Sequence, residues 1–171
     1  MSACSFSPQK DIPRAVLAFG DILKKHKNVR WYIAGDGNDM PRVKSLLKEN
    51  ELENEIILLG NQKNPYPYIK NADLYIQPSQ NEAAAMIYGE AMILKTPVFS
   101  TMNISVKEQL SDTDIGYICE NNMEDMKKSF DYLLSNPDII KGYKENYKNF
   151  TYTNDKCKEQ FEKLIKLSDE K

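Results

Sequence analysis

The chain has 171 residues, enough for one domain with a sizeable core, and no spanning segment of about 20 apolar residues interrupts it. Apolar content of 41% and charged content of 28% fit a folded globular protein and exclude a disordered one. A net charge of −2 gives no electrostatic pull toward nucleic acid, and the one basic cluster, Lys24-Lys25-His26-Lys27, reads as the solvated end of a helix.

Near the N-terminus, Ala3 to Phe6 reads as a short, trimmed first strand, and MSACSFSPQKD has neither the basic start nor the apolar stretch of a signal peptide. Residues 12–24 place Ile12, Val16, Phe19 and Ile22 or Leu23 at helical spacing. Val29 to Ala34 is an apolar, aromatic run ended by Gly35-Asp36-Gly37, a strand and its turn. Pro41 opens the next helix, where its missing N–H costs nothing, with Val43, Leu46 and Leu47 turned inward. Glu55 to Gly60 and Ala72 to Gln77 repeat the strand pattern, the second ended by Pro78-Ser79. Residues 83–94 form a third helix, apolar on nearly every side and therefore expected to be buried. Pro97 to Thr101 and Gly116 to Cys119 are further strands.

Short apolar strands alternating with helices predict an α/β fold: a Rossmann-like, doubly wound parallel sheet over residues 1–120. From residue 121 to 171 there is no convincing strand. Three helices are expected there, over 123–134, 137–150 and 154–167, as a helical C-terminal segment of the same domain.

Cys4, Cys119 and Cys157 are odd in number and widely spaced, with no CxxC pair, which suggests a reduced intracellular setting. His26 is the sole histidine, in a charged segment expected to face solvent, so a Ser-His-Asp triad or a multi-histidine metal site has little to build on. Asp112-Thr113-Asp114 has the D-x-D form of a metal motif but sits in a turn rich in Ser and Asp after a short helix. Gly35-Asp36-Gly37 lacks the full G-x-G-x-x-G pattern of a phosphate loop.

The chemistry concentrates in NEAAAMIYGEAM, which begins at Asn81 and holds two carboxylates, Glu82 and Glu90, among small and apolar residues. A buried carboxylate needs a partner, in the chain or in a ligand. Eight residues separate the two by about 80° around an ideal helix, so they do not stack on one face. Glu82 belongs to the loop or first turn, where complementing the helix dipole is the plain structural alternative. Glu90 lies two turns deeper. Its structural alternatives are a bond to Tyr88 or to a buried base, and no Lys or Arg stands four residues away. The paired hydroxyls of a ribose would satisfy it, as carboxylates do in dinucleotide folds.

Glu82-x7-Glu90, followed by Ala91-Met92 and Thr96-Pro97-Val98, resembles the EX7E motif of retaining glycosyltransferases of the two-domain GT-B fold, family 4, also called glycosyl transferases group 1. Pro8 to Asp11 resembles the family's segment before the first helix, and Ile33 to Gly37 its strand and turn. Leu58-Leu59-Gly60, Asn64-Pro65-Tyr66 and Tyr68 through Leu74 resemble its next run, and Asp114 to Ile118 a later strand. The resemblance implies the donor-binding half of such an enzyme, without its N-terminal acceptor-binding domain. The implied donor is a nucleotide-sugar, foremost a UDP-sugar, with the transfer retaining anomeric configuration and no metal or other cofactor required. The implied location is cytoplasmic, with peripheral membrane association open to the full-length enzyme.

By the same resemblance Glu90 grips the nucleotide ribose and Glu82 lies beside the donor sugar. Backbone amides of Ala83, Ala84, Ala85 and Met86 face the sugar and diphosphate, Lys10 neutralises the diphosphate leaving group, and the base lies near Gly60, Asn61 and Gln62. Two departures stand out: Ala83 where the family often has Gly, and Ser5 where it usually has an arginine. The loss of that cation favours a second reading, a non-catalytic nucleotide-binding module of the same fold, against which the intact glutamate pair argues. A GT-B epimerase or phosphorylase fits the motif order less well.

Overall fold

The computed structural model describes residues 1–82, 86–111 and 113–148. Among the described residues six strands and seven helices follow one another as β1 (Ser2–Ala3), α1 (Ile12–Lys25), β2 (Trp31–Ala34), α2 (Met40–Glu49), β3 (Ile56–Gly60), α3 (Tyr66–Lys70), β4 (Tyr75–Gln77), α4 (Met86–Ile93), β5 (Val98–Thr101), α5 (Ile104–Gln109), β6 (Gly116–Cys119), α6 (Met123–Ser135) and α7 (Pro137–Asn146). The helix expected over 154–167, the end of the one reaching residue 150, the trio Ala83, Ala84 and Ala85, and Asp112 of the D-x-D turn lie outside the described residues.

All strand pairs are parallel, in two ladders ordered β1-β2-β3 and β4-β5-β6. The ladders meet where the Ile76 N–H donates to the Met1 carbonyl at 2.8 Å. Ser2 Oγ then donates to the Ile76 carbonyl at 2.6 Å. The spatial order is therefore 3-2-1-4-5-6, with the winding direction reversing between β1 and β4. In open α/β sheets ligands bind in the crevice beyond the carboxyl ends of the strands at such a reversal. The ladder of β1 is shorter than the expected strand over 3–6, but Cys4 N–H to Ala34 O (3.0 Å) and Phe6 N–H to Asp36 O (2.9 Å) carry the pairing onward.

The period of two along the strands sorts side chains between two layers. Ile33, Ile76 and Phe99 join Phe19, Val43, Leu47 and Phe130 on the face covered by α1, α2 and α6. Ala34, Tyr75 and Val98 join Ile69, Tyr88 and Val106 on the face covered by α3, α4 and α5. Phe19 anchors the first layer, with its ring 5.6 Å from Trp31, 5.8 Å from Phe99 and 4.2 Å from Phe130, centroid to centroid.

Two expectations need correction, and one helix went unread. Residues 66–70, given no element from the sequence, are helical; Pro65 is the cap and Pro67 falls in the first turn, where no intrahelical N–H is needed. The helix carrying Glu90 is not buried on all sides. Tyr88, Gly89, Ala91 and Met92 pack inward, but Met86 is 77% and Ile93 63% exposed, because only one side of α4 meets the sheet. His26 is also largely covered, its Nε2 lying 3.0 Å from Asp131 Oδ1 between the end of α1 and α6.

Candidate functional site

Two loops meet at the carboxyl ends of β1 and β4. The loop after β1 runs to Asp11, the left-handed residue (φ 46°) that caps α1, and the loop after β4 runs through Pro78 to Glu82. Their backbones are joined by Gln80 N–H to Gln9 O at 2.8 Å, and Gln80 Nε2 donates to Asp11 Oδ2 at 2.6 Å. Arg14 on α1 reinforces the junction, donating to the Pro78 carbonyl (3.3 Å) and to Asn121 Oδ1 (2.7 Å).

Across this junction Lys10 Nζ forms an ion pair with Glu82 Oε1, joining residues 72 apart in sequence. The same oxygen accepts from Gln77 Nε2 at 2.9 Å and from Ser79 Oγ at 2.8 Å. The Glu82 side chain is 11% exposed and that of Lys10 22%. Glu82 therefore has a partner within the chain, a cation plus two neutral donors, which offsets its loss of water. Gln77 is itself buried, and Tyr75 Oη donates to its Oε1 at 3.2 Å. Gln77 and Ser79 are the residues that motif reading passed over. A polar residue in a strand covered on both faces was the available signal, since it must find a partner.

Glu90 sits apart from this network. Its Oε1 accepts from Tyr66 Oη at 3.2 Å, whereas Tyr88 is engaged with Ser100 Oγ at 2.8 Å and with Asn103. Glu90 and Tyr66 line an open cleft of about 420 Å³ together with Ser5, Asn61, Gln62 and Ile87. Gly60 (φ 66°) turns the chain into that wall, its carbonyl accepting from Gly35 N–H at 2.8 Å. Met86, the first residue of α4, is exposed; the positions of the three alanines before it are not described.

Cys4 lies in the cleft wall and also within the fields of Lys10 and Glu82. The ion pair and the cleft are thus neighbours around one residue. Burial pushes the Cys4 thiol up to about 12, so it stays protonated and is not a nucleophile at neutral pH. Among the described residues no lysine or arginine lines the cleft, and the hydroxyl of Ser5, at the position where a cation was expected by resemblance, donates to Ser7 Oγ at 3.4 Å. A larger cavity of about 680 Å³, with Trp31, Leu74 and Phe130 in its wall, opens near the amino ends of β2 and β4. It is at the wrong end of the sheet for the ligand site of this fold. Among the described residues no group of three His, Cys, Asp or Glu side chains could hold a metal ion, and no helix is long and apolar enough to cross a membrane.

The winding order and the flanking helices define a Rossmann-like, doubly wound fold of the kind that forms one half of a GT-B structure, and solved structures agree on that fold. A Staphylococcus aureus TarM variant, crystallised with UDP among its ligands, superposes with a TM-score of 0.80 at 23% identity, over 95% of this chain and 34% of that one. The pneumococcal O-GlcNAc transferase GtfA, in complex with UDP and GlcNAc, gives 0.73 at 17% identity, over 99% and 35%. The family model described as glycosyl transferases group 1 matches residues 2–154, and the chain belongs to that family. Among curated relatives, an uncharacterised glycosyltransferase of Haemophilus influenzae is 28% identical over 69% of this chain. An alpha-monoglucosyldiacylglycerol synthase of Streptococcus pneumoniae is 26% identical over 81%. The chain spans about a third of the length of these two relatives (34% and 32%).

Proposed function

We propose that these residues form the donor half of a retaining glycosyltransferase, which holds a nucleotide-sugar, foremost a UDP-sugar, at the β1/β4 reversal. The observation that carries the reading is the pairing of Lys10 with Glu82 at that reversal, beside a cleft that presents Glu90. Glu90 accepts the ribose hydroxyls, Asn61 and Gln62 border the base, and Glu82 faces the sugar end. Lys10 is shared between Glu82 and the diphosphate, whose negative charge grows as the sugar departs. Amides at 83–86 complete the diphosphate site.

Removing the Glu90 carboxylate deletes charged hydrogen bonds, each worth about 1.5–3 kcal/mol. Glu90→Ala is therefore expected to weaken UDP about 10- to 100-fold in calorimetry. Glu82→Gln should leave UDP nearly unchanged and weaken the sugar-bearing form. Equal losses for both ligands in both variants would refute the division of roles.

The chain as it stands is proposed to bind nucleotide weakly and to transfer no sugar. The acceptor-orienting half is outside it, and such orientation is worth several kcal/mol of a barrier. One observation favours the alternative of a non-catalytic module: among the described residues the cleft wall carries Asp36 and Glu90 but no cation. Sugar transfer by the chain joined to an acceptor domain separates the two.

A further inference from the structure

Tyr66 falls in the Asn64-Pro65-Tyr66 run that resembles the family's but carries no assigned role there, and its phenol meets the Glu90 carboxylate in the cleft wall. The main chain at Tyr66 is fixed. Its N–H donates to Asn64 Oδ1 at 3.2 Å, prolines flank it, and Ile69 three residues on is fully buried, with its carbonyl accepting from Thr96 Oγ1 at 2.9 Å. The side chain is held less tightly: Tyr66 is 44% exposed and its hydroxyl reaches Glu90 Oε1 at the 3.2 Å end of the hydrogen-bond range. The two groups sense each other, since the Glu90 charge and this bond hold the Tyr66 phenol above its ordinary range.

Resting on the reading of Glu90 as the ribose acceptor, we propose that Tyr66 is a placeholder: its hydroxyl occupies on Glu90 the position that a ribose hydroxyl takes, and is exchanged for it on binding. A vicinal diol engages a carboxylate best through both oxygens, so one of its hydroxyls competes with the Tyr66 phenol for the approach to Oε1. An exposed phenol gives up that position at small cost, because water receives it. The bond keeps Glu90 oriented while the cleft is empty, and it lowers affinity for any ribose ligand by the worth of one neutral-to-charged hydrogen bond. A site built this way releases its nucleoside diphosphate product more readily.

Titration calorimetry with the 171-residue chain tests this, using UDP and its 2′,3′-dideoxy analogue as probes. Tyr66→Phe keeps the ring and removes the hydroxyl. It is expected to tighten UDP about two- to tenfold, to leave the dideoxy analogue unchanged, and to have no effect in a Glu90→Ala background. Weaker or unchanged UDP binding by Tyr66→Phe, with the parent binding UDP and Glu90→Ala weakening it, overturns the placeholder and leaves the donor-site reading intact. No nucleotide binding by the parent chain overturns both.

Discussion

Gly35→Ala is expected to cost the chain about 3–5 kcal/mol of stability, the largest loss from any single added methyl in the turn between β2 and α2. Gly35 has φ 139°, a conformation that side-chain-bearing residues rarely adopt, and a Cβ built there falls 1.8 Å from the Cys4 carbonyl oxygen. That neighbour is backbone, pinned by Cys4 N–H to Ala34 O at 3.0 Å, so it cannot swing aside. Gly37 repeats the condition, with φ 151° and a Cβ only 2.5 Å from the Phe6 carbonyl. The Gly-Asp-Gly turn is therefore a contact between two backbones that floors the cleft, and not a phosphate loop. Gly142→Ala in α7 is the internal control: a Cβ there meets nothing within 4 Å, and a helix interior gains about 0.5–1 kcal/mol from the exchange. Urea unfolding of both variants gives the comparison. Similar midpoints for Gly35→Ala and the parent would contradict the packing of the β1 and β2 exits.

Lys10→Met comes next in size, with an expected loss of about 2–3 kcal/mol near neutral pH. It keeps the aliphatic stem and removes the charge that meets Glu82. Breaking a buried pair costs about 3–5 kcal/mol, and the partial exposure of both side chains (22% and 11%) places this pair below that range. Gln77 and Ser79 continue to donate to Glu82 Oε1 but bring no net charge. Adding Glu82→Gln to Lys10→Met should restore most of the loss, because the orphaned charge is then gone. A double variant no more stable than Lys10→Met alone would mean that Glu82 is adequately hydrated and that the pair contributes little.

The strands were legible because burial on both faces demands continuous apolar runs, and Trp31 to Ala34 and Ile56 to Gly60 each show one. The glutamates stood out for the opposite reason, as charges within an apolar stretch. What local pattern could not supply was pairing at a distance. The order 3-2-1-4-5-6 depends on β1 lying beside β4, and the Lys10–Glu82 pair spans 72 residues. Neither leaves a periodicity. Residues 66–70 were hidden by Pro65 and Pro67, which signal a loop yet are tolerated at a helix start. The exposure of Met86 and Ile93 shows that an apolar helix announces what it could bury, while the number of neighbouring layers decides what it does bury.

Amide chemical-shift mapping of the isotope-labelled chain during a UDP titration tests most directly whether nucleotide binds at the carboxyl ends of β1 and β4. Saturable shifts are expected at Ser5, Asn61, Gln62, Tyr66 and Glu90, with the Trp31 indole unmoved at the other end of the sheet. Shifts centred instead on Asn28, Trp31 and Asn71, around the 680 Å³ cavity, would contradict that placement.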